Sequence, residues 1–217
     1  GAPRTITFDP STNNNPITLS ILGTSEDAAA TGDLDTTGVL TITGNGAINT
    51  IIQACDASAN PSCVGIDRLF DVMGTSTLTV NGVTVRNGGV SEIGGGGFRV
   101  GHVPPWAGGN GVSAVLVLND SRVLNSTTAA RAGGGIYHIG TVTINRSVIA
   151  GNRILGYNHG GGIVTGGGSL TITDSTISGN SAGSGGGGGI MNNPGSLSTA
   201  ITIVNSTISG NSAGFGG

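Results

Sequence analysis

The residues best placed to do chemistry are two aspartates and an arginine. Asp120, Arg146 and Asp174 hold one position in successive copies of a recurring phrase, with Gly82 at that position before them and Asn205 after. Paired carboxylates hydrolyse glycosidic bonds when they face one another across about 5–10 Å. If the copies stack as neighbouring strands, Asp120 and Asp174 lie two strands apart, about 9.6 Å. That separation suits inverting hydrolysis, and an arginine among acids also suits a polysaccharide lyase. Arg146 between two aspartates, however, lowers both pKa values, whereas a general acid needs one raised. A ladder of alternating charge at a turn, which avoids stacking like charges, accounts for the same three residues. The sequence therefore nominates no catalytic residue, and the expectation is a protein that is not an enzyme.

Glu26, Asp27, Asp33 and Asp35 form the one acidic cluster, and carboxylate oxygens on a loop could hold Ca²⁺. Their spacing matches neither an EF-hand loop nor a Gly-Gly-x-Gly-x-Asp repeat, so a solvated loop with aspartates capping a short turn is the competing reading. An insertion, Gly101-His-Val-Pro-Pro-Trp-Ala-Gly-Gly, carries Trp106, the single tryptophan, beside His102. An exposed tryptophan on such a loop could stack on a sugar or a partner surface; equally, it could fold back over the wall that carries it. His102, His138 and His159 fall at different places in the repeat and make no convincing metal set. His138, aligned with Val100, Thr165 and Asn192, reads as a packed or hydrogen-bonded residue. Four glycosylation sequons begin at Asn119, Asn125, Asn145 and Asn205, but such matches arise by chance in a chain this rich in Asn, Ser and Thr.

Cys55 and Cys63 are the only cysteines and flank a polar loop. Two nearby cysteines suggest one disulfide in an oxidising compartment, worth roughly 2–3 kcal/mol in the chain-entropy model. Reduced thiols or half a zinc site are the alternatives. Eight arginines, no lysine and a net charge of −3 supply no basic stripe for nucleic acid. No apolar run approaches membrane-spanning length, so no membrane insertion is expected. Gly1-Ala-Pro-Arg is not a signal-peptide start, which is expected of a mature or trimmed chain.

Glycine makes up 43 of 217 residues, and with Ser, Thr and Asn it forms half of the chain. Its clusters lack the every-third-residue spacing of collagen, and the composition is poor in helix formers. What positions the residues above is a repeat. Leu170-Thr-Ile-Thr-Asp-Ser-Thr-Ile-Ser-Gly-Asn180 runs into a glycine stretch closed by Ile190; Val142 to Asn152 repeats the phrase and closes at Ile163. The closing residues Phe98, Ile136, Ile163 and Ile190 are 38, 27 and 27 positions apart, the long interval containing the insertion near 101–113. Short period-two segments separated by Gly, Asn or Ser are strands and turns, and two or three of them per unit make one coil of a solenoid. The expected fold is all-β, a right-handed parallel β-helix of about 7–8 coils, with handedness taken from the general rule for parallel crossovers.

Stacking coils place aligned residues in columns. Leu78, Leu116, Val142, Leu170 and Ile201 should form one buried column. Val80, Leu118, Ile144, Ile172 and Ile203 form a second, and Val85, Val123, Ile149, Ile177 and Ile208 a third. Phe98, Ile136, Ile163 and Ile190 form a fourth. Polar ladders should run through Ser121, Ser147, Ser175 and Ser206 and through Asn152, Asn180 and Asn211, the asparagines satisfying one another and the turn amides.

The phrases Glu26-Asp-Ala-Ala-Ala-Thr-Gly-Asp-Leu-Asp35, Leu40-Thr-Ile-Thr-Gly-Asn-Gly and Asp67-Arg-Leu-Phe-Asp-Val resemble the beginning of bacterial surface proteins bearing a CSLREA motif. The later Ile-Ser-Gly-Asn-Ser-Ala and Gly-Gly-Gly-Ile phrases are similar to those proteins and to the passenger repeats of chlamydial polymorphic outer-membrane proteins. The resemblance covers roughly residues 17–217. It implies a Gly-rich, right-handed parallel β-helix and an extracellular or cell-surface location, and it brings no catalytic residues.

The chain divides as one domain, 1–217. Residues 1–16 are an extended N-terminal segment, 17–77 the first coils with the Cys55/Cys63 loop, and 78–217 the Gly-rich repeats. Extended Thr5-Ile-Thr-Phe8 at one end and no charged cap after Phe215 at the other suggest either self-association, one chain's first strand completing the next chain's last coil, or flanking coils that lie outside this sequence. The functional expectation is an extracellular structural solenoid that forms or decorates a surface layer or filament. An adhesin-like module binding a glycan or surface partner through Trp106 is the alternative, and a lyase or hydrolase using Asp120 and Asp174 a third reading.

Overall fold

The computed structural model describes residues 2–20, 32–54, 68–90, 94–102, 113–129, 133–156, 159–192 and 198–215. Three long parallel sheets wrap one core; successive turns of the chain add seven strands to the first and second and six to the third among the described residues. The first sheet stacks Arg4–Thr7, Val39–Thr43, Thr77–Asn81, Val115–Asn119, Thr141–Asn145, Gly168–Thr173 and Thr199–Val204, in that order. The second runs from Ile17–Leu19 through Ile51–Ala54, Thr84–Arg86, Arg122–Leu124, Val148–Ala150 and Thr176–Ser178 to Thr207–Ser209. The third contains Leu34–Thr36, Phe70–Met73, Phe98–His102, Ile136–His138, Ile163–Thr165 and Ile190–Asn192. A small fourth sheet of two-residue strands joins Gly89–Val90, Thr127–Thr128 and Arg153–Ile154. The molecule is a parallel β-helix, with seven rungs among the described residues. Arg4–Thr7, part of the segment read as extended, forms the outer strand of the first sheet and pairs with Val39–Thr43.

Alternation decides which side chains enter the core. Along Val115–Asn119 the even positions Leu116 and Leu118 are fully buried and the odd ones face out; the same parity recurs in Thr77–Asn81 and Thr141–Asn145. Strand register keeps that parity from rung to rung. Leu78, Leu116, Val142, Leu170 and Ile201 pair in sequence, as do Val80, Leu118, Ile144, Ile172 and Ile203. Phe98, Ile136, Ile163 and Ile190 form one line, which Phe70 extends with its ring stacked on that of Phe98 at 5.1 Å between centroids.

A sharp corner turns the chain from one sheet to the next in each rung. Between the first and second sheets the turning residue is Gly82, Asp120, Arg146, Asp174 or Asn205, each with φ between 46° and 61°. Asp and Asn enter this left-handed region more readily than most residues, so Arg146 is the unusual occupant. The glycine runs answer a second demand, close approach to the asparagine ladder. A methyl group on Gly162 would stand 2.5 Å from the Gly189 carbonyl oxygen and 3.0 Å from Asn180 Cγ, and one on Gly135 would stand 2.9 Å from Asn152 Cγ. Gly162→Ala should therefore cost about 1–3 kcal/mol by overpacking. Urea titration with an unchanged slope will measure it, and an unaltered midpoint would refute the close-approach account.

Candidate functional site

The acidic cluster divides. Glu26 and Asp27 lie outside the described residues, while Asp33 and Asp35 meet a third carboxylate, Asp71, with one oxygen from each within 4.8 Å of the others. Strand register explains the meeting. On the outward face of the third sheet, Asp35 pairs with Asp71, Asp71 with Arg99, and Arg99 with Tyr137. Arg68 approaches from two positions before the strand Phe70–Met73: its Nη1 lies 3.3 Å from Asp33 Oδ2 and 3.7 Å from Asp71 Oδ2. Arg99 Nε donates to Asp71 Oδ2 at 2.7 Å, and its Nη2 also contacts that oxygen. Asp71 is wholly buried, and Asp33, Arg68 and Arg99 nearly so. Three carboxylates are a donor set that suits a hard cation such as Ca²⁺. Two guanidiniums already stand against them and supply most of the opposing charge, which makes this first a clamp between rungs.

Burial raises the pKa of the neighbouring Tyr137 hydroxyl, with the Arg99 charge opposing that shift. Beside the first rung, a cavity of about 560 Å³ opens between Arg4, Ile6, Asp35, Thr36 and Leu40.

The exposed ladder at the corner between the first and second sheets is also an internal clamp. Arg146 Nε and Nη2 donate to Asp120 Oδ1 and Oδ2, both at 2.8 Å, while Asp174 accepts from Asn205 Nδ2. The hydrogen bonds from Arg146 hold the Asp120 carboxyl below the usual carboxylate range, and Asp120 raises Arg146 in turn. Glycoside hydrolysis needs a carboxyl held protonated. Asp120 is shifted the opposite way.

His138 is fully buried at the inward position that Val100 holds in the previous rung and Thr165 in the next. Its Nδ1 lies 3.1 Å from the Gly140 carbonyl oxygen, so Nδ1 carries the proton. Burial pushes its pKa down from 6.5 to about 4. The unfolded imidazole takes up a proton near pH 6.5 and the folded one only near 4, so the unfolded chain binds more protons between those values. Stability should fall by about 3 kcal/mol as the pH drops through that window. Urea midpoints at pH 7 and pH 4 will show it, and His138→Val, which copies Val100, should flatten the dependence. An equal loss in both proteins would exclude His138 as the cause.

His159 Nδ1 accepts from the Gly186 N–H at 2.8 Å, and His102 ends a strand opposite Met73 across a register shift. Trp106, Cys55 and Cys63 lie outside the described residues.

The two polar ladders bind rung to rung. The N–H groups of Ser121, Ser147 and Ser175 donate to Oγ of Ser147, Ser175 and Ser206 at 3.0–3.1 Å. Ser121, Ser147, Ser175 and Ser206 also donate through their own hydroxyls to the carbonyl two residues back, at 2.7 Å. Asn180 Oδ1 accepts from both the backbone N–H and Nδ2 of Asn152 at 3.0 Å, and Asn211 Oδ1 does the same for Asn180. Ser126 heads this column, its N–H donating to Asn152 Oδ1.

Sequence reasoning missed Arg68, Asp71 and Arg99, although Phe70-Asp-Val and Phe98-Arg-Val are the same phrase and place Asp71 over Arg99. Comparison with protein-family models, curated proteins and solved structures finds no match. Among the described residues, no helix is long and apolar enough to cross a membrane.

Proposed function

We propose that this chain is a non-enzymatic structural solenoid carried outside the cell, on a bacterial surface or in a surface layer. One observation carries the reading: the serine, asparagine and arginine–aspartate ladders bond from one rung to the next. Ser121 meets Ser147, Asn152 meets Asn180, and Arg146 meets Asp120. Groups that could have served a reaction instead stiffen the axis, and a solenoid gains stability with each such interface. The resemblance to CSLREA-type surface proteins supports export.

The proposal includes head-to-tail association. Ile6 and Ile17 at one face and Ile203 and Ile208 at the other continue the buried columns, yet are 38–47% exposed. Both faces have the shape to receive a further rung, of the same polypeptide or of a neighbour. Electron microscopy of the purified chain is expected to show rods longer than one molecule, reduced to single particles by deletion of residues 1–16. Single particles in the intact chain would remove the assembly. Turnover of a polysaccharide, abolished in Asp174→Asn, would overturn the structural reading.

A second reading, a binding module, draws on the spacing of the strands. In the last five rungs two residues always separate first-sheet from second-sheet strands, whereas the chain around third-sheet strands varies in length. Variable loops on a rigid wall are where binding residues commonly sit, and in the sequence Trp106 falls between Phe98–His102 and Val115–Asn119. Loss of glycan or surface binding in Trp106→Ala would favour this reading.

A further inference from the structure

The outward face of the first sheet is uncharged and almost crystalline in its regularity. Its central column carries Thr41, Thr79, Thr143 and Thr171, with Val117 in the middle rung as a threonine-shaped substitute. Thr5 and Thr202 extend that column at either end. The adjoining column is a rigid amide ladder: Asn145 Nδ2 donates to Asn119 Oδ1 at 3.0 Å, Asn119 Nδ2 to Asn81 Oδ1 at 2.9 Å, and Asn81 Nδ2 to Thr43 Oγ1 at 3.3 Å.

Seven strands run in unbroken register, so equivalent side chains repeat at about 4.8 Å along the axis and about 6.6 Å along each strand. The array spans about 29 Å by about 13 Å. Its β-branched residues have little χ1 freedom. Among the described residues, the central threonines form no side-chain hydrogen bonds within the protein, so each hydroxyl faces solvent as one donor and two acceptors beside a methyl group.

Strand propensity alone does not account for this composition. The second sheet offers equivalent outward positions and fills them with Gln53, Arg86, Arg122 and Leu124 as well as threonine. A nucleic acid or acidic peptide finds no counter-charge in the outward columns of the first sheet, and an irregular protein surface cannot use a two-dimensional repeat. A neutral solid whose own hydrogen-bonding oxygens repeat at similar distances can. Ice presents oxygens in rows of about this spacing, and ordered water held between the hydroxyls and methyls would join that lattice.

We propose that the outward face of the first sheet binds ice. The proposal stands apart from cell-surface location and from end-to-end assembly.

The test follows the intact chain, fluorescently labelled, during slow growth of an ice hemisphere, together with crystal shape and freezing hysteresis. Adsorption to ice and faceted crystals are expected. Thr143→Lys, at the centre of the face, should reduce hysteresis at least tenfold with an unchanged circular dichroism spectrum and unfolding midpoint. Thr79→Lys serves if that variant does not fold. Thr176→Lys, the same change on the second sheet, should behave as the parent. Exclusion of the parent protein from ice, or equal behaviour of Thr143→Lys and Thr176→Lys, would overturn the proposal. So would adsorption to crystalline cellulose or chitin without adsorption to ice, which would assign the face to a polysaccharide.

Discussion

Asn180→Ala is expected to destabilise the β-helix by about 3–5 kcal/mol. The side chain is fully buried and makes four hydrogen bonds: its Oδ1 accepts twice from Asn152, and its Nδ2 donates to the Ile149 carbonyl and to Asn211 Oδ1, both at 2.9 Å. Alanine removes all four. The Asn152 N–H and the Ile149 carbonyl lose this partner inside the protein, where water cannot replace it, and each such buried group costs about 1–3 kcal/mol. Domains of this kind have only about 5–15 kcal/mol of net stability, so this one change removes a large share. Asn211→Ala offers the comparison. That residue makes analogous bonds but is partly exposed, so solvent can satisfy what it leaves behind, and about 1 kcal/mol is expected. The two losses are read from urea unfolding. Equal effects at the two positions would show that burial of the ladder is not what makes it matter.

The ladders and columns were legible in the sequence because an alternating strand has few degrees of freedom. Once Ile136, Ile163 and Ile190 are aligned, every residue two positions away faces the same side, which already places His138 inward at Val100's position. The corner was harder. Gly82, Asp120, Asp174 and Asn205 are the residues a left-handed turn favours, yet Arg146 among them drew attention to charge and away from backbone conformation. The alternating charge is there, but Arg146 commits both of its bonds to Asp120, and Asp174 turns to Asn205. The acidic cluster was legible only in part. Asp33 and Asp35 stand out as neighbours in the chain, whereas Asp71 and Arg99 reach them through strand register, 35 or more residues later. No local spacing rule reports such a contact, although the repeated Phe-x-Val phrase does once it is used as an alignment.

That cluster is the place of the second large effect. Asp71→Ala should cost about 3–5 kcal/mol, the range for taking one partner from a buried ion pair. The carboxylate is wholly buried and receives Arg99 Nε at 2.7 Å with Arg68 Nη1 close by, so its loss leaves two enclosed guanidiniums facing fewer anionic oxygens. The cost arises from charge rather than from lost volume, and the fold itself supplies the control. Further along the same column the outward positions are Tyr137, Val164 and Met191, so apolar side chains already pack against this sheet. Asp71→Leu combined with Arg99→Met should therefore recover most of what Asp71→Leu alone loses, since well-packed apolar residues often replace a buried ion pair at little cost. A double-mutant cycle by chemical denaturation measures the coupling. If the two losses simply add, Arg99 and Asp71 do not act as a pair. If they cancel, the Asp71–Arg99 pair is dispensable for folding.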